Sequence, residues 1–372
     1  MTIVKRIAGG EDDFQLVRHL TVRGSQFEIG KALAQEARTR SGWAPGPADQ
    51  TVNRARMTWF EHFWPQHHER LDGVAAAFDL DPDRDDLIMD GLNALPMGSG
   101  CSALWCPPSA AADGHGRIAR NYDFFTLTTS EIMGGAAKPG ELPMASRPYV
   151  ITTIPDEGLA STVITMNELD GCMDGVNAAG LAVVLLIADV AHAAPPESAD
   201  PRVGLSSVQL PRFVLDTCEN VEQAKRALLM AKHYDHGLPL HYLIADAAGK
   251  AFVWEGERII DAGDAPMCVT NHPLHRHPDP MALPDDDETT MDTFGRLRRL
   301  HERSRDVPLS AERLSGALGE VAAGADKPWR TTWTSVLDTR DRTLTARFYL
   351  GDAPEGGTRF TEELRFEIRP DS

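Results

Sequence analysis

The chain has 372 residues, 42% of them hydrophobic, enough for one large domain or two ordinary ones around a sizeable core. Its net charge of −18 argues against nucleic acid or an anionic membrane as partner, since both need concentrated Lys and Arg. No run approaches the ~18 apolar residues of a membrane span, the start MTIVKRIAGGEDD has no signal-peptide core, and five cysteines without CxxC spacing make neither a disulfide framework nor a thiolate zinc site. A cytoplasmic location is expected.

After a mobile start, FQLVRHLTVRGS alternates as a strand does, and SQFEIGKALAQEAR reads as a helix capped by Ser25. A second helical tract runs from about Ala48 to Phe78, kinked or interrupted by Pro65. DRDDLIMDGLNAL is a third. At Gly100-Cys101 the pattern changes: SALWC, GRIARNYDF, RPYVITTI, ASTVITMN and GLAVVLLIAD are short, β-branched or aromatic strands. GVNAAG is a hairpin turn, with Asn177 and Gly180 in turn conformations. Helices return in SVQLPRFVLDTC and in VEQAKRALLMA, the latter capped by Asn220. HYLIADAAGKAFVWEG is a hairpin, and HRHPDPMALPDDDE a polar surface loop. MDTFGRLRRLHERS and SAERLSGALGEVA are helical, TTWTSVLDTRDRTLTARFYL is a closing hairpin, and LRFEIR is the last strand. Helices outside two groups of antiparallel strands define an α+β fold, a four-layer αββα sandwich.

Four of the five cysteines read as small buried hydrophobes. Cys101 differs because of its surroundings, MGSGCSALWC, and because RIARNYDFF follows about twenty residues later with Arg120, Asn121 and Asp123. Nucleophilic catalysis by cysteine needs a thiolate and a nearby base. At a chain terminus the α-amine, with an ordinary pKa of about 7.7–8.0, is such a base at neutral pH. That amine exists only after the Gly100–Cys101 bond is cut. Glycine there leaves its carbonyl open to the adjacent thiol.

Seven segments in order, GCSALWC (100–106), ARNYDFF (119–125), DGVNAAGLAV (174–183), LPRFVLDTCENVEQAKRAL (210–228), HYLIADAAGKAFVWEG (241–256), VTNHPL (269–274) and TTWTSVLD (331–338), resemble the penicillin acyltransferase-like branch of the N-terminal nucleophile (Ntn) hydrolases. That family includes acyl-CoA:6-aminopenicillanic acid acyltransferase. The bile-salt hydrolases and acid-ceramidase-like enzymes are more distantly similar. The resemblance implies a pro-segment or small subunit, residues 1–100, and a catalytic subunit, residues 101–372, within one Ntn-hydrolase domain. It implies Cys101 as nucleophile and new N-terminus. Asp123 would hold the freed amine, Arg120 would polarise the thiol and orient Asp123, and Asn271 would donate to the oxyanion. Arg330 is the expected second arginine near the nucleophile. Where bile-salt hydrolases carry an asparagine this chain has Ile187, which leaves the second oxyanion donor to a backbone N–H. Phe124, Phe125 and Trp105 are candidates for the wall of an acyl pocket, against the alternative of ordinary core aromatics.

The resulting expectation is a self-processing amidase or acyltransferase that needs no cofactor. It would act on a small-molecule amide, ester or thioester through an acyl-Cys101 intermediate. Two other readings compete with it. One is a metal-dependent hydrolase using His272, His275 and His277 beside the acidic run Asp285 to Glu288. The other is an uncleaved homologue acting as a binding scaffold.

Overall fold

The computed structural model describes residues 1–90, 100–166, 170–189, 202–234, 239–256, 258–327 and 329–368. Strands β1 (Thr2–Ala8) and β2 (Val17–Gly24) pair at the start of the chain, so the expected mobile start is an edge strand fixed by its ladder. Ser25 then opens α1 (Gln26–Ser41) with a capping box: its side chain accepts from Glu28 N, and the Glu28 carboxylate accepts from Ser25 N. After the short β3 (Gly46–Pro47), Pro65 divides the second tract into α2 (Gln50–Phe63) and α3 (Pro65–Ala77). It takes the first position of α3, where its missing N–H costs nothing. The expected third helix does not form over its described part. Leu87–Ile88 is β4, paired with β3, and Asn53 Nδ2 donates to the carbonyls of Asp85 and Leu87, groups a helix would use itself. Residues 91–95 of that segment lie outside the described residues.

From Gly100 strands dominate: β5 (Gly100–Cys106), β6 (Arg117–Phe125), the one-turn α4 (Thr129–Ile132), β7 (Tyr149–Pro155), β8 (Ser161–Thr165), β9 (Asp174–Asn177), β10 (Ala182–Ile187) and β11 (Leu205–Ser206). Then come α5 (Leu210–Thr217) and α6 (Val221–Met230), whose cap Asn220 accepts from Gln223 N. They are followed by β12 (His233–Tyr234), β13 (Leu240–Ala245), β14 (Ala251–Glu255), β15 (Arg258–Asp261) and β16 (Met267–Val269). The chain closes with α7 (Thr293–Ser304), α8 (Ala311–Glu320), β17 (Trp329–Asp338), β18 (Thr343–Asp352), β19 (Thr358–Phe360) and β20 (Leu364–Glu367).

Two large sheets result. The nine-stranded one runs β1-β2-β7-β8-β9-β10-β13-β14-β15, and the seven-stranded one runs β16-β5-β6-β17-β18-β19, with β20 also on β18. Their ladders are antiparallel with one exception: β2 and β7 run parallel, joined by a crossover that contains α1 to α3 and the β5–β6 pair. Helix α1 packs on β2 and β7, and α5 on β9 and β10, while α7 and α8 pack on β5 and on β16 or β6. The inner faces meet where β5 and β6 face β10 and where β17 and β18 face β9. This is the four-layer order expected from the sequence. The hairpin turn after β9 touches the other sheet: Gly180 has φ +86°, and a Cβ there would lie 2.2 Å from the Thr339 carbonyl oxygen.

The helices of the first ninety residues are also fastened by buried charge. His67 Nδ1 lies 2.9 Å from Asp170 Oδ2, and Arg70 pairs with Asp170 at 3.1 Å and with Asp216 at 2.6 Å. Arg212 of α5 also meets Asp216 at 3.3 Å, and Arg56 pairs with Asp90. Trp64 Nε1 donates to Asp216 at 3.0 Å. Among the described residues no helix is long and apolar enough to cross a membrane.

Candidate active site

Strand pairing brings the first three site residues together. In the β5–β6 ladder Gly100 lies opposite Asp123 and Cys101 opposite Tyr122. Alternation along β6 turns Arg120 toward the nine-stranded sheet and Asn121 and Asp123 toward the α7–α8 layer. Arg120 is fully buried, its guanidinium 4.5 Å from the Tyr122 ring centre. Its Nη2 donates to Cys101 Sγ at 3.2 Å and to the Leu185 carbonyl at 2.6 Å, and its Nη1 donates to Asp174. Asp174, at the start of β9, is itself held by Trp333 Nε1 at 2.7 Å and Ser335 Oγ at 2.9 Å. A carboxylate of one sheet thus aims a guanidinium at the thiol of the other.

The main chain of Cys101 is held just as closely. Its N–H donates to Asn271 Oδ1 at 2.6 Å, and its carbonyl accepts from Arg296 Nη1. Arg296 Nη2 also donates to Asn271 Oδ1 at 2.9 Å, and Asn271 Nδ2 donates to the Ile187 carbonyl at 2.8 Å. These three partners fix which end of the amide faces Cys101. In this intact chain it is the oxygen, while Nδ2 keeps a second hydrogen. Ile187 contributes its main-chain carbonyl.

Asp123 Oδ1 accepts from Thr331 Oγ1 at 2.6 Å. Its Oδ2 is buried, 4.0 Å from Arg296 Nη1, and has no hydrogen-bond partner among the described residues. A Cβ on Gly100 would stand 3.3 Å from that oxygen, so the free lone pairs face the residue just before Cys101. Burial raises the Asp123 carboxyl above the ordinary range, with Arg296 and Thr331 opposing it. Burial likewise pushes the Cys101 thiol up, against the pull of Arg120. With the 100–101 bond closed, Cys101 is a protonated thiol.

Arg330 lies elsewhere, and the expectation for it is corrected. It pairs with Asp352 of the adjacent β18 at 2.8 Å and donates to the Lys327 and Trp329 carbonyls. The second arginine at Cys101 is Arg296 of α7, missed in the sequence because MDTFGRLRRLHERS was read only as a helix. The buried residues of α7 include Thr293, Arg296, Leu297 and Leu300, a stripe at helical spacing with an arginine inside it, and that was the available signal. Asp174 and Thr331 were also missed, the first lying just before the segment GVNAAG read as a turn.

The aromatics proposed for an acyl pocket divide. Trp105 is fully buried in the apolar core opposite Ile118, and Phe124 is buried and stacked near Tyr122, so both have core positions. Phe125 is partly exposed, edge-on to Trp329. The three loop histidines do not converge. His272 Nδ1 faces Thr293 Oγ1 at 3.0 Å, His275 Nδ1 is on Glu255, and His277 lies edge-on to the His272 ring. Asp286 accepts from the Phe294 and Gly295 N–H groups instead. Among the described residues only His115, Asp338 and Asp341 bring three possible ligand atoms together, and Arg117 already occupies Asp338 at 2.9 Å.

Comparison with known proteins adds the family. Residues 110–352 match the family profile of acyl-coenzyme A:6-aminopenicillanic acid acyl-transferase. No curated protein sequence matches the chain. Among solved structures, a mutant of the conjugated bile acid hydrolase from Clostridium perfringens is similar at 16% identity and TM-score 0.44, over 73% of this chain and 97% of that one. Penicillin V acylase from Agrobacterium tumefaciens is similar at 16% identity and TM-score 0.42, over 67% and 82%. The Caenorhabditis elegans ortholog of N-acylethanolamine-hydrolyzing acid amidase is similar at 12% identity and TM-score 0.43, over 64% and 93%.

Proposed function

Because the chain belongs to the acyl-coenzyme A:6-aminopenicillanic acid acyl-transferase family, we propose that it is a self-processing cysteine enzyme that cleaves an amide C–N bond or transfers the acyl group, with Cys101 as nucleophile. The observation that carries this reading is the investment around one residue. The thiol, N–H and carbonyl of Cys101 are held by Arg120, Asn271 and Arg296, while a buried Asp123 oxygen with no hydrogen-bond partner among the described residues faces Gly100.

Self-cleavage begins with Sγ attacking the Gly100 carbonyl carbon. The C–S bond forms, the C–N bond breaks, and the departing nitrogen takes a proton. Asp123 is suited to relay it, because burial favours its protonated form. Water then hydrolyses the thioester, giving a Gly100 carboxylate and a Cys101 with free thiol and free amine. From that point Asp123 holds the amine, and the amine takes the thiol proton. The thiolate attacks a substrate amide, ester or thioester. The second Nδ2 hydrogen of Asn271 stabilises the oxyanion, a contribution of ~3 kcal/mol. The ammonium protonates the leaving amine, and water or an acceptor amine resolves acyl-Cys101. Residues 1–100 stay as a small subunit, held by the buried pairs that His67 and Arg70 of α3 make with Asp170 and Asp216. A small-molecule acyl substrate and a cytoplasmic location complete the proposal.

Intact-mass spectrometry of the wild type beside Cys101→Ala tests it. The expected result is one fragment ending at Gly100 and one starting at Cys101 in the wild type alone. Cleavage elsewhere, or turnover with that bond intact, would refute the mechanism.

A further inference from the structure

Asn271 sits in a segment without regular structure, just beyond the end of β16 at Val269. Two buried side chains of the other sheet fasten that segment on both sides. His241 of β13 and Glu255 of β14 lie opposite each other in the hairpin ladder. The His241 ring is fully buried. Its Nδ1 lies 3.0 Å from Glu255 Oε1 and its Nε2 2.8 Å from the carbonyl oxygen of Thr270, the residue before Asn271. Both partners can only accept, so both ring nitrogens donate. Glu255 reaches past Asn271 in the other direction. It accepts from Leu274 N at 2.9 Å, from His275 N at 3.1 Å and from His275 Nδ1. Burial opposes the Glu255 charge, but the His241 and His275 contacts hold its carboxyl down at about 2, so it is ionised at neutral pH. Nothing in the cleavage or acyl-transfer steps uses either residue.

We infer that His241 and Glu255 are positioning residues for Asn271: together they clamp residues 270–275, which follow β16 of the seven-stranded sheet, onto the nine-stranded one, and so place the Asn271 side chain on Cys101. The inference rests on the proposed role of Asn271. Its geometry separates two substitutions of similar size. In His241→Gln an amide nitrogen reaches the place of Nε2 and keeps the bond to Thr270. In His241→Asn it reaches only the place of Nδ1 and keeps the bond to Glu255 alone. A misplacement of about 1 Å costs up to about 100-fold in rate.

The test measures two rates in the full chain: appearance of the 101–372 fragment by mass spectrometry, and acylation of Cys101 by p-nitrophenyl acetate per titratable thiol. His241→Asn and Glu255→Gln are expected to slow both by about 10- to 100-fold, and His241→Gln by no more than about 3-fold. Backbone hydrogen exchange over residues 269–275 is expected to quicken in the first two variants and not in the third. Equal behaviour of the two His241 variants, or lowered thermal stability with unchanged rates and exchange, would overturn the clamp. A wild type that neither cleaves at 100–101 nor acylates at Cys101 would instead refute the proposed function, and exchange over 269–275 would then decide the clamp alone. If neither His241 variant folds, Glu255→Gln gives the answer by the same three measurements.

Discussion

The carboxylates around α2 and α3 each lie within 3.7 Å of at least two cations, whereas Asp123 beside Cys101 has, among the described residues, only Arg296 at 4.0 Å as an ion-pair partner. Both regions are buried, so the difference lies in the count of partners. At Asp170 and Asp90 burial opposes the charge, but arginine and His67 win and hold both carboxyls far below their usual range. At Asp123 burial wins, and the carboxyl rises. The two imidazoles divide the same way. Burial would lower His67, but hydrogen bonds to Asp170 and Asp90 overcome it and raise the ring. His272, next to Asn271, has hydroxyl neighbours and nearby positive groups, and burial drives it down to about 3. One region matches each charge to a partner and gains specific docking. The other leaves a group under-paired beside a bond, the usual mark of chemistry rather than of stability.

Substituting each region in turn should separate these roles. Asp123→Asn keeps the shape and removes the charge, so self-cleavage and turnover are expected to fall by about 10³-fold. Thermal stability should hold or rise slightly, because the native site disfavours that charge. A matching loss of stability would break the comparison. Arg70→Met has the opposite signature. Stranding Asp170 and Asp216 should cost about 3 kcal/mol in denaturant melts, while the cleavage rate of the folded fraction stays at the wild-type value.

The pH dependence of stability gives a smaller contrast. His272 binds its proton less readily when folded than the ordinary 6.5, so its share of stability is present above pH 6.5 and falls as pH drops toward about 3. The loss is on the order of 2 kcal/mol by pH 5. His67 is raised, so its share is full below pH 6.5 and is lost as pH climbs through its folded value. Thermal melts across pH 5–9 should therefore show a flatter acid limb in His272→Gln and a flatter alkaline limb in His67→Gln. Parallel curves for both variants would remove the distinction.

What was legible in the sequence follows from the range of each signal. Ser25 and Asn220 announced their helices because a cap acts within three residues. Cys101, Arg120 and Asp123 were grouped through the resemblance of GCSALWC and ARNYDFF to one family, and the β5–β6 ladder sets those two segments side by side. Arg296 and Asp174 arrive from α7 and from the opposite sheet, contacts that no local period encodes. Arg330 was misplaced for the same reason: its partner Asp352 lies across a hairpin, and the pairing turned its side chain away. The parallel β2–β7 ladder was also invisible, since antiparallel and parallel strands of a buried sheet share one hydrophobic pattern.

That ladder has a kinetic consequence. Strands β1 and β2 precede Gly100, yet they complete a sheet whose other strands all follow Cys101. The uncut polypeptide closes this sheet within a single molecule, so its renaturation is first order and independent of protein concentration. A chain severed at Gly100–Cys101 and then denatured must bring two solutes together to rebuild the same ladder. Its recovery would therefore fall with dilution, and assembly order would be a lasting record of the cut.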